Sequence, residues 1–419
     1  MRTRPTLLSA LAFGACLSAL AGACQTYDFE PVEPLAIAQT TFEEPFVGRR
    51  LKPNVMLLVD TSASMTDPVD TSDPDCLVPG RDDGKVCGDT DACNPAVCPT
   101  RWTELQAAVP KFLADTGAFV RFGLTTYPDP RGEAGILASC RTASETTVRK
   151  DLPVAEDDAS LLANANQIND IIQGIPNAGT GRPLGGTPTS LSLRFVKNLP
   201  GLQDAERKQF VVLLTDGLPN CNGDNIYKGT DPRCRCTAST CAGAAEKLGC
   251  LDMEASVEAV RELAGKEITT IVIGFGTETA EGDGPAVLDA MARAGGFART
   301  CKEGQTSCGP NDPCDAVTHL CQRPFYQAGN QTELAQVLEA ISKEVVNPQP
   351  CLVALDPSQL PSDPKLIVVY VEEVRTPPGV DTWELTDQGV LFTGALCERL
   401  KASTPDAPID VSLRAIRQR

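Results

Sequence analysis

Short apolar runs that stop at an acid give this chain its pattern. Residues 55 to 59 are continuously apolar and end at Asp60, and residues 210 to 214 repeat the arrangement and end at Thr215-Asp216. Such short, unbroken runs lack the 3.6-residue period of an amphipathic helix and suit strands buried on both faces of a parallel sheet. Residues 119 to 127 and 268 to 275 read as further strands. Between them the period changes. Trp102, Leu105, Val109, Phe112 and Leu113 fall on one helical face, and so do Val257, Val260 and Leu263. These predict helices over 102–115 and 253–265, with others over 161–175, 189–199, 287–294 and 332–346. The helix over 287–294 stops at Gly295-Gly296, as a C-cap should. Short strands near 147–154 and 324–328 complete the series.

Strand and helix alternate from 54 to 346, which predicts an α/β fold: a doubly wound, mostly parallel sheet covered by helices on both faces. Ligands of open α/β sheets bind outside the carboxyl ends of strands at a switch point, so the strands ending at Asp60 and Asp216 should be neighbours there. Cysteine-rich insertions interrupt the pattern at about 66–100, 217–251 and 300–323. Past Asn347 the texture turns β-like, with runs over 366–374, 382–385, 390–396 and 409–416 and no helix expected. Residues 347–419 therefore read as a small β-rich C-terminal extension with a stabilising role. Residues 24–53, proline-bearing, acidic and without a period, read as a tether.

The chemistry begins where the first strand stops. Asp60-Thr-Ser62-Ala-Ser64 puts one carboxylate and two hydroxyls on a single turn, an oxygen set suited to a small hard divalent cation. Three oxygens do not complete an octahedron. Gly185-Gly186-Thr187 delivers another hydroxyl at the start of a helix, with Thr189 a nearby alternative, and Asp216 offers a second carboxylate. Turn capping explains any one of these stretches but poorly explains all three. Together, Asp60-x-Ser62-x-Ser64, Gly-Gly-Thr187 and Thr-Asp216-Gly resemble the metal-ion-dependent adhesion site of a von Willebrand factor type A domain, a Rossmann-like fold that would cover about 54–346. The resemblance implies a metal set of Asp60, Ser62, Ser64, Thr187 and Asp216, with the hydroxyls as neutral ligands and the aspartates acting largely through water. It also implies a divalent cation, Mg2+ with Mn2+ or Ca2+ as alternatives, and a macromolecular partner whose carboxylate takes the open position. The function implied is binding or adhesion; an envelope-assembly accessory using the same site is the alternative. A metal-dependent hydrolase fits less well, because the single histidine, His319, sits in a cysteine-rich loop and no Ser-His-Asp relay can form.

Composition narrows the setting. A net charge of -18 and a pI near 4.6 exclude a nucleic-acid partner, which needs a basic face. Arg2 and Arg4 precede an apolar stretch over 7–23, the pattern of an export signal, and Leu20-Ala-Gly-Ala-Cys24 resembles a bacterial lipobox. Residues 1–23 are therefore expected to be a signal peptide, with Cys24 lipidated and the chain anchored by that lipid, as an outer-membrane or cell-surface lipoprotein of a bacterium. Ordinary cleavage before Cys24, followed by secretion, fits the same residues. Of 18 cysteines, removing Cys16 and Cys24 leaves sixteen, an even number consistent with disulfides in an oxidising compartment. A zinc reading of Cys234-x-Cys236-x4-Cys241 is set aside on that ground, and the acids at Asp82-Asp83 and Asp89-x-Asp91 read as a solvated loop in preference to a calcium site. The blocks at 76–98 and 301–321 hold four cysteines each and can pair internally, and Cys351 can pair with Cys397. Cys140 then stands alone against five at 221–250, so parity sends it to Cys221, Cys234, Cys236, Cys241 or Cys250.

Overall fold

The structure is a computed structural model, and it describes residues 41–45, 52–81, 83–88, 91–129, 135–205, 207–297, 299–301, 304–309, 312–346, 351–355, 363–387, 389–401 and 409–418. The expected signal peptide, Cys24 and most of the expected tether lie outside the described residues. The chain divides into two units, residues 50–350 and a second formed by the N-terminal stretch with 351–419.

In chain order the first strands are β1 (Thr41–Pro45), β2 (Asn54–Asp60), β3 (Arg121–Tyr127), β4 (Val148–Lys150), β5 (Gln209–Thr215) and β6 (Ile268–Phe275). They are followed by β7 (Ser307–Gly309), β8 (Asp312–Pro313) and β9 (Tyr326–Ala328). In the larger unit the sheet order is β4-β3-β2-β5-β6-β9, parallel throughout except for β4, which runs antiparallel at the edge. This is the doubly wound, mostly parallel α/β arrangement expected from the sequence. Period-2 alternation within the apolar runs explains it: Val55, Leu57 and Val59 of β2 face one core, and Met56 and Leu58 face the other. Phe210, Val212 and Leu214 of β5 join the first, and Val211 and Leu213 the second. Helices Arg101–Thr116, Asp158–Gly174 and Gln331–Val346 supply the first face. Helices Thr189–Val196, Met253–Ala264 and Gly284–Ala294 supply the second. Central strands buried on both sides need apolar residues at every position, which is why their period is invisible in the sequence.

β4 covers only three residues of the expected edge strand, and short helices at Ile136–Ser139 and Thr277–Ala280 add to the expected set. Eight disulfides join the cysteines of the described residues: Cys76–Cys98, Cys87–Cys93, Cys140–Cys221, Cys234–Cys250, Cys236–Cys241, Cys301–Cys314, Cys308–Cys321 and Cys351–Cys397.

The smaller unit departs from its reading in two places. Its strands are β10 (Leu352–Ala354), β11 (Ile367–Val371), β12 (Val374–Thr376), β13 (Trp383–Thr386), β14 (Gly389–Phe392) and β15 (Val411–Gln418). One antiparallel sheet has the order β1-β15-β11-β12, so Thr41–Pro45 of the expected tether is a strand. Five residues are too few to show a period. Their partner decides instead, since Glu43 accepts hydrogen bonds from the Tyr370 hydroxyl at 3.0 and 2.9 Å and from Arg414 at 3.2 Å. The other departure is a helix, Gly394–Lys401, where a strand continuing to Leu396 was expected. Gly394, at φ +51°, turns the chain out of β14, and Arg399 and Lys401 in the last turn suit the helix dipole. Leu396, one turn before Leu400, then packs into the small core beside the Cys351–Cys397 bridge.

Leu213 is fully buried at the centre of the large sheet. Leu213→Ala should cost about 2–5 kcal/mol, whereas the same change at Leu320, 38% exposed, should stay within about 0.5 kcal/mol. Urea unfolding followed by circular dichroism checks both, and equal midpoints for the two variants would remove Leu213 from the core.

Candidate metal centre

β2 and β5 are adjacent and parallel, with Val59 opposite Leu214, so Asp60 and Asp216 emerge together at one carboxyl edge. Both carboxylates are fully buried. Asp60 closes its own turn: Oδ1 accepts the Ser62 backbone N–H at 2.8 Å, while Oδ2 accepts from Thr215 Oγ1 at 2.7 Å and from the Tyr127 hydroxyl at 3.4 Å. That turn aims the two serines the same way. Ser62 Oγ lies 3.1 Å from Ser64 Oγ, which donates to Asp216 Oδ1 at 3.1 Å. Four of the five residues predicted from the sequence thus form one continuous chain of oxygen contacts.

The fifth arrives on a loop that only glycine permits. Gly185 sits at φ +105°, and a Cβ there would come 2.7 Å from the Ser139 carbonyl oxygen. At Gly186 a Cβ would lie 2.5 Å from Cys221 Sγ. The loop therefore rests directly on the Cys140–Cys221 bridge. Backbone bonds finish the clamp: Ala63 N–H donates to Gly185 O at 3.0 Å, Gly186 N–H to Ser139 O at 2.8 Å, and Asn220 N–H to Thr187 O at 2.9 Å. The Asn220 side chain answers by accepting Thr187 N–H at 2.8 Å. Thr187 and not Thr189 faces the site, because Thr189 Oγ1 turns back toward the Thr187 carbonyl at 3.4 Å and toward Tyr127. A Cβ on Gly217 would sit 3.6 Å from Ser64 Oγ, 3.8 Å from Thr187 Oγ1 and 3.8 Å from Glu278 Oε2. Three oxygens from three loops therefore border one small space beside Gly217.

The electrostatics agree with a cation seat. Burial, then the neighbouring Asp216 charge, push the Asp60 carboxyl up to about 7 against the lowering hydrogen bonds from Thr215 and Ser62. Burial and Asp60 also raise the Tyr127 hydroxyl well above its ordinary value, so it stays a neutral donor. A divalent ion among these oxygens would oppose the repulsion between the two acids, and hard oxygen donors suit Mg2+, Mn2+ or Ca2+. The residues present fit the group.

Sequence reasoning missed two charged neighbours. Arg101, 1% exposed, opens helix Arg101–Thr116 and donates from Nη1 to Asp216 Oδ2 at 2.8 Å. Burial alone would lower its pKa, but the Asp216 and Glu278 charges outweigh it and hold the guanidinium charged. Glu278 lies just beyond β6, with Oε1 3.6 Å from Arg101 Nη2. The carboxyl-edge rule that paired Asp60 with Asp216 could have found Glu278; nothing in a lone arginine after Thr100 announces a buried side chain.

A cleft of about 960 Å³ opens from the site. Ser64 and Thr187 lie at its floor, the Cys221–Cys250 insertion forms one wall through Thr237 and Leu248, and Glu278 and Asp283 line another. Arg235 from the insertion pairs with Asp283. The other candidate sites are already accounted for. Cys234, Cys236 and Cys241 are all in disulfides, Asp83 pairs with Arg81 at 2.6 Å and Asp91 pairs with Lys85, while Asp82 and Asp89 lie outside the described residues. His319 sits in the third cysteine block, its backbone N–H on Asp315 O at 2.9 Å.

No family model and no curated protein matches the chain. Among solved structures it is similar to the pilus adhesin SpaC from Lactobacillus rhamnosus GG in its open conformation, at 13% identity and a TM-score of 0.40, covering 89% of this chain and 40% of that one. It is also similar to a point mutant of the PilB minor pilin from Streptococcus sanguinis, at 16% identity and a TM-score of 0.42 over 73% of this chain and 64% of that one. A third similar structure is the mussel byssus proximal thread matrix protein 1 with a zinc-occupied MIDAS motif, at 12% identity and a TM-score of 0.34 over 72% and 49%. The chain thus spans about two fifths of the SpaC length and less than two thirds of the others.

Asn220 holds Thr187 in place without facing the cation seat itself. Asn220→Ala should weaken Mn2+ binding about tenfold with the far-ultraviolet spectrum unchanged, as loss of a group orienting a ligand does. Unaltered affinity by calorimetry would mean that the Thr187 loop is held by its other contacts alone.

Proposed function

We propose that this chain is an exported binding module that holds one divalent cation through Asp60, Ser62, Ser64, Thr187 and Asp216 and uses it to bind a carboxylate of a macromolecular partner, in an adhesive role. The observation that carries this reading is the gathering of three hydroxyls and two buried carboxylates from three separate loops beneath one open cleft, which Ser64 and Thr187 line. Hydroxyl ligands leave most of the cation's charge uncompensated, and Arg101 removes part of what Asp216 would contribute. An external carboxylate is then the natural ligand for the remaining position. A catalytic reading lacks a histidine relay at the site, His319 being in another loop. Among the described residues no helix is long and apolar enough to cross a membrane. Attachment would fall to the lipid on Cys24, with the partner either foreign or a component of the cell's own envelope.

Calorimetry should find about one Mg2+ or Mn2+ bound per chain, and Asp60→Ala should abolish it. Asp216→Asn, which leaves Arg101 an acceptor, should do the same without unfolding the protein. Undiminished binding in both variants would remove the site from these residues. Crosslinking on intact cells with and without chelator would then show whether the partner depends on the metal. Fatty-acid labelling should mark the wild type and not Cys24→Ser; an unlabelled wild-type chain in the soluble fraction would mean plain secretion.

A further inference from the structure

Glu278 is the third carboxylate at the mouth of the cation seat, and its backbone and side chain are held very differently. The backbone is fixed. Thr279 Oγ1 donates to Gly276 O at 2.9 Å and accepts from Gln327 Nε2 at 3.1 Å, and Gly284 packs so closely on the Glu278 carbonyl that a Cβ would come within 2.2 Å of it. The side chain is loose, 52% exposed, its Oε1 3.6 Å from Arg101 Nη2 and beyond hydrogen-bond distance. Its other oxygen reaches the space at Gly217 that Ser64 Oγ and Thr187 Oγ1 also border.

Charge balance gives that placement a purpose. Asp60 and Asp216 bring two negative charges and Arg101 returns one positive charge, so a divalent ion would leave the buried set with one positive charge in excess. One more carboxylate neutralises it, and Glu278 of the chain itself borders the seat. Arg101 meanwhile holds it only weakly, since Nη1 is already satisfied by Asp216 and Nη2 stands 3.6 Å from Glu278, beyond hydrogen-bond distance.

We propose that Glu278 is a tethered ligand of the cation site: its carboxylate takes the open position when no partner is bound, and a partner's carboxylate must displace it back toward Arg101. The proposal rests on the cation-binding reading above and adds a built-in competitor to it. Displacement sets a threshold. A lone acidic side chain would compete with a carboxylate already present at high effective concentration, so only a ligand that also occupies the cleft would hold the site.

Mn2+ tests this, because proton relaxation of water reports how many exchangeable waters the bound ion keeps. Wild type, Glu278→Gln, Glu278→Asp and the distant surface variant Glu254→Gln are titrated with Mn2+ by calorimetry and relaxation, then with acetate as carboxylate probe. Glu278→Gln should weaken Mn2+ about tenfold, raise the relaxation per bound ion, and let acetate lower that relaxation at concentrations that leave wild type unchanged. Glu278→Asp, too short to reach, should follow Glu278→Gln, and Glu254→Gln should follow wild type. Weaker Mn2+ binding with the same relaxation and acetate response as wild type would overturn the proposal and leave Glu278 a merely structural charge. Identical behaviour of all four variants would overturn it too while sparing the cation site, whereas a wild type that binds no Mn2+ would overturn both.

Discussion

Two anions are placed side by side where water does not reach them. β2 and β5 pair in parallel register, so the acids at their ends, Asp60 and Asp216, are buried side by side, Asp60 accepting from the Thr215 hydroxyl and Asp216 from the Ser64 hydroxyl. An uncompensated buried carboxylate is costly, and two together are more so. The surroundings divide the compensation. Asp60 is served by hydrogen bonds alone, from Ser62, Thr215 and Tyr127, whereas Asp216 has Arg101. Burial, then the neighbouring Asp216 charge, push Asp60 toward neutrality, and a cation beside it would oppose both.

Rigid support follows from the same need. A weakly charged donor set binds a cation only if its oxygens already converge, since ordering them on binding would consume the gain. The sheet fixes Asp60 and Asp216 through strands packed on both faces. Thr187 has no strand beneath it. Its loop is instead seated on the Cys140–Cys221 bridge by two glycines and held by reciprocal bonds with Asn220. A disulfide spanning 81 residues constrains the unfolded chain by about 4 kcal/mol in the chain-entropy model. Its local consequence matters as much: it ties the loop after β3 to the one that follows Asp216, and the loop that carries Thr187 rests on that tie through Gly186.

How much of this was legible follows from which signals are local. Apolar runs ending in acids are local, so the large sheet, its helices and the juxtaposition of Asp60 with Asp216 could be read directly. Parity likewise narrowed Cys140 to five candidates, but selecting Cys221 required the distance across the carboxyl edge, which spacing does not contain. Thr41–Pro45 and Gly394–Lys401 were missed for opposite reasons. The strand exists because β15 offers it a partner at the far end of the chain. The helix begins because Gly394 turns the chain after only four residues of strand, and its Leu396 and Leu400 pair is too short a period to outweigh the β-like run before it. Arg101 was invisible as a site residue, since its importance lies in where the side chain points, whereas Glu278, just past the carboxyl end of β6, was within reach of the rule that paired Asp60 with Asp216.

The acidity of the chain bears on what such a site can recognise. With a net charge of -18, the protein repels an acidic partner at long range, yet a cation-centred site selects a carboxylate at contact. The two effects act over different distances. Screening confines surface repulsion to about 8 Å at physiological ionic strength, while coordination operates only within bonding distance of the cation. Long-range attraction therefore contributes nothing to capture, and a bound state must be held by short-range contacts in the cleft. Thr237 and Leu248 of the disulfide-held insertion, with Glu278 and Asp283, line the cleft where those contacts are available. Rigid walls are most valuable under that condition, because a partner gains no help from the field and must fit on arrival. On the proposed reading the cysteine-rich insertion beside the candidate cation seat would form part of the recognition surface, made stiff by bridges in place of the hydrophobic core that a stretch so rich in cysteine, glycine and polar residues cannot build.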